Sequence, residues 1–359
     1  MSNIRRTYIN GKQVDLPVWN GKRVYALYYN GYCVWKNGMD YNFITEWIIN
    51  NKTLIFPSIE TIGNSGFINW SDKTKDYEYN SSESYSHTFT EQKGTVNIEC
   101  NIIEIVDYCF KEDNSSTSKL KSVIIPETIE EIGMSAFNYC KELKTVVING
   151  ENLTEIKTET FKDCSKLENI TIPNTVINLG YGAFQNCTLL NHFPNLNNLN
   201  SIGNLCFANC INLTLFDLPQ TLTYLGEYSF AYCERLLSTI NIPNNITEIK
   251  DSTFYHCRNI PSANLNNVEI IKQEAFESCN SLQFLNLGTK LKTIEYSAFS
   301  YCTTLQNFEL PNTIERIEIL AFNACYSLTR LEIPSSIQYI APSAFDNCIN
   351  LKEIIIHKP

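Results

Sequence analysis

Apolar residues along most of this chain recur in one frame, I-x-x-I-G-x-x-A-F-x-x-C-x-x-L-x-x-I-x-I-P. A phenylalanine marks each copy: Phe137, Phe161, Phe184, Phe207, Phe230, Phe254, Phe276, Phe299, Phe322 and Phe345. A leucine or isoleucine follows six residues later, from Leu143 to Leu351. Then comes an alternating apolar pair, as in Ile170-Thr171-Ile172-Pro173 and Leu331-Glu332-Ile333-Pro334. Alternation with period two predicts a short strand with one buried face, and proline ends it because it cannot donate to a ladder. The Ala-Phe-x-x-Cys stretch spaces apolar residues three apart, which predicts one turn of helix. A single unit cannot bury its apolar residues, so units must stack, with strands at about 4.8 Å pitch. Two degenerate copies precede the regular ones. Ser58 to Gly63 leads into Phe67, and Ile102 to Ile105 leads into Phe110. The expectation is an α/β solenoid of about 12 units of ~23 residues, each a short parallel strand plus a helical turn.

Cysteine spacing turns this pattern into a ruler. Ten of the 14 cysteines, from Cys140 through Cys164, Cys187, Cys210, Cys233, Cys257, Cys279, Cys302 and Cys325 to Cys348, lie three residues after the phenylalanines, at intervals of 22 to 24. In-register side chains of parallel repeats point the same way, whereas a disulfide needs two facing Cβ atoms about 3.8 Å apart. No C-x-x-C pair suggests zinc. The cysteines therefore read as small buried fillers, with Phe137, Cys140, Phe230 and Cys233 typical of a structural ladder.

This frame resembles the BspA-like leucine-rich repeats, a family of bacterial, phage and protist proteins, over about residues 41–359. The residues that carry the resemblance are Ile132-Gly133, Ala136-Phe137, Cys140, Leu143, Val146 and Ile148, with their counterparts in later copies. It implies adhesion or protein-interaction modules, although a fold does not name a function.

Residues 1–39 lack the frame. They carry Asn10-Gly11, Asn20-Gly21, Asn30-Gly31 and Asn37-Gly38 between apolar runs, the strongest short-range hairpin signal. They read as a small β meander, separate from a solenoid over 40–359. Tyr28, Tyr29, Tyr32 and Trp35 sit in a run similar to short repeats in structural proteins of phages of gut bacteria. That likeness implies a docking module that contacts a virion or tail protein; the plainer alternative is a cap on the first repeat. Phe43, Ile44, Trp47 and Ile48 fit one helix face, and Leu54-Ile55-Phe56-Pro57 a first strand.

The repeat breaks between Phe67 and Phe110, where residues 71–94 form an insertion containing Tyr77, Tyr79, Tyr85 and Phe89. Insertions in solenoids map to one face, often the binding face, and tyrosines make good contacts; a tolerated surface loop is the alternative. On the strands, the outward column includes Asp217, Asn241, Asn264, Asn286, Glu309 and Glu332, with Leu215, Phe284 and Arg330 beside it. A concave sheet of this kind suits a protein or glycan surface ligand, or is simply soluble strand surface.

Charge and motifs narrow the classes. The net charge of −10 argues against nucleic acid or an anionic membrane as partner. No apolar run approaches a membrane helix, and the residues after Arg5-Arg6 do not read as a signal peptide. The four histidines are scattered, and no hydrolase, nucleotide-binding or metalloprotease motif is present. The chain reads as a non-enzymatic binding protein with no metal or cofactor. The resemblances make it a phage tail or virion component that binds a host surface, made in the cytoplasm and outward-facing after assembly. The alternative is a cellular scaffold or surface adhesin.

Overall fold

Two demands shape every coil: apolar residues must meet their counterparts one period away, and each buried N–H and C=O needs a partner. The computed structural model meets both with strands and turns. It describes the backbone of strands Arg6–Ile9, Lys12–Asp15, Asn42–Ile49, Thr53–Phe56, Phe67–Trp70, Tyr77–Glu78, Tyr85–Thr88 and Lys93–Glu99, the segments 104–105, 107–112 and 118–125, residue 127, and residues 129–357. The chain divides into two compact units, Met1–Thr175 and Val176–Pro359.

In the first unit, Arg6–Ile9 pairs with Lys12–Asp15 in antiparallel register, with Arg6 opposite Asp15 and Ile9 opposite Lys12. Strand Ser118–Ile125 joins two kinds of sheet. On one side it pairs in parallel with Thr145–Ile148, which pairs in parallel with Asn169–Thr171. On the other it pairs antiparallel with Asn42–Ile49, and that sheet continues through Lys93–Glu99 and Phe67–Trp70 to Tyr77–Glu78. Residues 42–49 are thus a strand, not the expected helix. The segment is rich in β-branched and aromatic residues and is hydrogen-bonded on both sides, with Thr45 opposite Val123 and Val96. Its partners lie about 50 and 75 residues away, beyond the reach of local periodicity.

The expected helical turns are absent. No α-helix occurs among the described residues, and the coils number about ten rather than about twelve. Phe67, expected in the ladder slot of a first repeat, instead starts strand Phe67–Trp70, antiparallel to Lys93–Glu99. The second degenerate copy does coil: Glu104–Ile105 pairs with Glu131–Ile132, and Phe110 stacks on Phe137 at 5.2 Å.

Backbone accounting explains why Ala-Phe-x-x-Cys is not helical. Ser135 and Tyr139 have φ of 54° and 64°, a left-handed conformation that no helix interior tolerates. The N–H groups of Ser135, Phe137 and Tyr139 donate to the carbonyls of Thr158, Thr160 and Lys162 in the next coil, each at 2.9 Å. Those of Ala136, Asn138 and Cys140 close tight turns onto Gly133, Ser135 and Phe137. Half of the donors are satisfied locally and half across coils. A helix would satisfy all of them internally and leave nothing to hold the neighbour at strand spacing. The left-handed residues, at about 1–2 kcal/mol each, redirect alternate N–H groups outward along the stack.

In the second unit the same turn arm recurs. Leu205, Phe207 and Asn209 donate to Glu227, Ser229 and Ala231, each at 2.8 Å. The ladder rings from Phe184 to Phe345 stack face to face at 5.1–5.6 Å, within the favourable range for aromatic pairs. The I-x-x-I segment, to which the sequence reading assigned no element, forms a second parallel ladder: Glu248–Ile249, Ile270–Ile271, Thr293–Ile294, Arg316–Ile317 and Tyr339–Ile340. A coil therefore has a strand arm, a short-strand arm and a turn arm.

The cysteines pack the turn arm and also hydrogen-bond. Cys140 Sγ donates to the carbonyl of Phe110 at 3.0 Å, and Cys164 to that of Phe137 at 3.2 Å. Cys210, Cys233, Cys257, Cys279, Cys302, Cys325 and Cys348 make the same bond to the phenylalanine of the preceding coil, at 3.0–3.4 Å. The carbonyl of Phe230 thereby accepts twice, from Cys233 N–H in its own coil and from the Cys257 thiol in the next. Burial pushes the Cys233 and Cys279 thiols far above their usual range, so they stay protonated and unreactive. No disulfide joins any described cysteine.

Candidate binding surface

The strand arm of the second unit has its inward residues buried and its outward residues exposed, as in the exposed-buried-exposed pattern of Phe284–Asn286. Ile240–Asn241, Ser262–Asn264 and Phe284–Asn286 form one parallel sheet in which Asn241, Asn264 and Asn286 are in register. Asn264 Nδ2 donates to Asn241 Oδ1 at 2.7 Å, and the hydroxyls of Thr239 and Ser262 bond at 2.8 Å. Phe284 lies beside Ser262 and is 60% exposed, much for a phenylalanine. Gly288 turns the chain back with φ of 69°, and its N–H donates to Asn286 Oδ1 at 3.0 Å. A Cβ there would lie 2.0 Å from the Asn266 carbonyl, so this clamp requires glycine.

The other outward residues fall into separate groups. Leu215, 56% exposed, bridges His192, and Asp217 is exposed two residues on. No described ladder joins Asp217 to Asn241; Ser238 Oγ instead accepts the Phe216 N–H at 2.9 Å. Glu309 is exposed in a stretch without strand pairing. Arg330 donates to Glu332 at 2.7 Å and contacts Glu353 at 3.2 Å, while His357 lies 3.2 Å from Glu332. The Arg330 ion pairs are exposed, each worth at most about 1 kcal/mol.

Sequence reasoning overlooked Leu237, Thr239, Ser262 and Asn307. Leu237 is 56% exposed. Its signal was the pair of consecutive leucines after Cys233, of which the first fills the inward slot and the second must face out. Asn307 Oδ1 accepts the N–H groups of Thr329 and Arg330, each at 3.0 Å, as a strand carbonyl would.

The remaining candidates stand apart from this surface. Tyr77 lies opposite Ile68 and Tyr85 opposite Phe56, on strands of two different sheets. Tyr79 and Phe89 lie outside the described residues, as do Tyr28, Tyr29, Tyr32 and Trp35. On the turn arm, Tyr255 packs against Tyr232 and His256, with ring centroids 5.4 and 4.3 Å away. Burial, then Glu274, pushes the nearby Glu277 carboxyl up to about 7, and burial, then Glu277, pushes Tyr255 to about 12. Among the described residues, no three His, Cys, Asp or Glu side chains gather as a metal site, and no helix is long and apolar enough to cross a membrane.

The model of the BspA-type leucine-rich repeat region matches residues 104–237, 190–304 and 254–359. The chain belongs to the BspA-type leucine-rich repeat family. Among solved structures, it is similar to a leucine-rich cell surface protein from Faecalibacterium prausnitzii, at 25% identity over 73% of this chain and 84% of that one, with a TM-score of 0.42. A leucine-rich repeat protein from Bacteroides ovatus matches at 24% identity over 75% and 84%, with a TM-score of 0.42. The pneumococcal vaccine antigen PcpA matches at 24% identity over 71% and 67%, with a TM-score of 0.49. No curated protein matches the chain. BspA-type repeats are stacked coils of the leucine-rich kind, whose exposed surfaces commonly serve as binding scaffolds.

Proposed function

We propose that this BspA-type protein is a non-catalytic binding or adhesion scaffold whose strand arm in the second unit presents the contact surface. One observation carries the reading: inward positions repeat the same residues coil after coil, while outward strand positions differ and leave Leu215, Leu237 and Phe284 more than half exposed among amides and carboxylates. Leu215 and Leu237 stand in neighbouring coils, and apolar side chains that gather on one face mark a contact surface where singly scattered ones do not. The short-strand face differs, because its charges engage one another: Lys272 with Glu295 at 2.9 Å, Lys292 with Glu269 at 2.6 Å, and Arg316 with Glu318 at 2.8 Å.

Of the two settings read from the sequence, a cellular scaffold or surface adhesin is the closer. The virion setting rests on the pattern at residues 28–35, outside the described residues. Binding of the fluorescently labelled full chain to intact cells, measured by flow cytometry, tests the surface. Leu215→Glu and Leu237→Glu should abolish binding while Tyr224→Glu and Ile319→Glu, on the short-strand side, leave it intact. The opposite pattern overturns the reading.

A further inference from the structure

We propose that the middle of the strand face, centred on Phe284, Asn264 and Asn286, is a subsite for a neutral glycan. The proposal rests on the strand arm being the contact surface and names the class of ligand it takes.

Charge comes first. Between Asp217 and Glu309 the outward strand residues include Leu237, Thr239, Asn241, Ser262, Asn264, Gln283, Phe284, Asn286, Gln306 and Asn307, none of them charged. The window is flanked by carboxylates on both sides, so a phosphate, sulfate or acidic sugar gains nothing in it, and a basic peptide finds no partner within it. A neutral, hydroxyl-rich ligand matches it.

Hydrogen-bonding capacity comes second. Thr239 and Ser262 are already bonded to each other, and Asn241 to Asn264. Beside Phe284, Asn264 and Asn286 each keep an open group. Asn264 has spent its Nδ2 on Asn241 and keeps its Oδ1 acceptor. Asn286 has its Oδ1 held by Gly288 N–H and keeps its Nδ2 donors. The Asn241 and Gly288 bonds fix the orientation of both amides, so the open acceptor and the open donor sit on adjacent strands, about 4.8 Å apart at the backbone. A sugar hydroxyl both donates and accepts, so two hydroxyls of one ring can satisfy both groups.

An apolar platform comes third. The Phe284 ring is 60% exposed, on the same strand face as Asn286 and next to the small side chain of Ser262. A pyranose has one face of C–H groups, which carries slight positive charge toward the negative face of an aromatic ring. Stacking on Phe284 while the ring hydroxyls reach Asn264 and Asn286 engages an apolar platform, an acceptor and a donor at once.

The test uses the full chain against a panel of immobilised neutral oligosaccharides, with sialylated and sulfated ones beside them, and Phe284→Ala, Asn286→Ala and Asn264→Ala as variants whose melting temperatures match wild type. The expected result is binding to one or more neutral members, weakened at least about tenfold by each variant, with charged members not preferred. A blank neutral panel, binding indifferent to all three variants, or preference for charged members overturns the proposal. Cell binding separates the two readings. If Phe284→Ala and Leu237→Glu still abolish cell binding while the panel is blank, the face contacts a protein and only the glycan subsite falls. If cell binding survives both substitutions, the strand-face reading falls with it.

Discussion

The turn arm and the strand arm of the same coils solve one problem in opposite ways. Both lend N–H groups to a neighbouring coil. The turn arm does so by placing residues such as Ser135, Tyr139, Tyr228 and Tyr232 in the left-handed region, and its inward Phe and Cys recur in every regular coil. The strand arm does so with ordinary extended backbone, and each outward position is free to vary. Constraint and freedom are segregated within each coil: packing fixes the inside, and the outside strand positions are where specificity can be written without cost to the fold.

Phe230→Ala gives the largest effect on this contrast. Phe230 stacks between Phe207 and Phe254 at 5.3 and 5.6 Å and meets Phe216 edge-on at 4.9 Å. Its removal should cost about 3–5 kcal/mol in denaturant unfolding. Next, Gly288→Ala should cost about 2–3 kcal/mol through its left-handed φ and the clash with Asn266, and should also loosen Asn286. This is where the strand arm is as constrained as the turn arm, and full stability in the variant would remove the clamp. Cys233→Ala loses the thiol bond to Phe207 O and a small volume, about 1–2 kcal/mol by thermal melt. If it proves worse than Phe230→Ala, the ladder does more than pack.

A pH experiment refines the turn arm. Glu277 is pushed up to about 7 by burial and Glu274, from a usual value near 4.5. A raised carboxylate favours the folded state while protonated, so its contribution is full below about 4.5 and is lost as pH rises through 7. Glu277→Gln should raise the melting temperature at pH 8 and leave it unchanged at pH 4.5. The gain is on the order of 1 kcal/mol, because solvent screens this half-exposed group. Phe284→Ala should fall within about 0.5 kcal/mol of wild type in the same assay, the smallest stability effect of the set. A large loss there would mean that the outward strand positions also carry the fold.

Much of this was legible beforehand. The 23-residue period, the buried Phe–Cys ladder and the alternating strand come from spacing alone, because side-chain burial repeats with the coil. The amide column at Asn241, Asn264 and Asn286 followed from the same frame. What stayed hidden was set by backbone partners. Residues 42–49 fit a helix face when read alone and become a strand because Ser118–Ile125 and Lys93–Glu99 flank them. Leu237 faces outward because it follows the buried Leu236 in the slot that Thr214 holds one coil earlier, and its N–H donates to the Thr214 carbonyl at 2.8 Å.

By itself, then, the sequence determined which residues face inward and how often the chain returns to its own neighbourhood. Apolar spacing encodes burial, and a shared core demands a repeat. Tertiary structure alone decided whether Ala-Phe-x-x-Cys would be helix or turn, and which amide groups would remain open to a ligand. Both depend on where each N–H finds its acceptor, and in a stacked chain that acceptor lies one coil away, out of view of any local pattern.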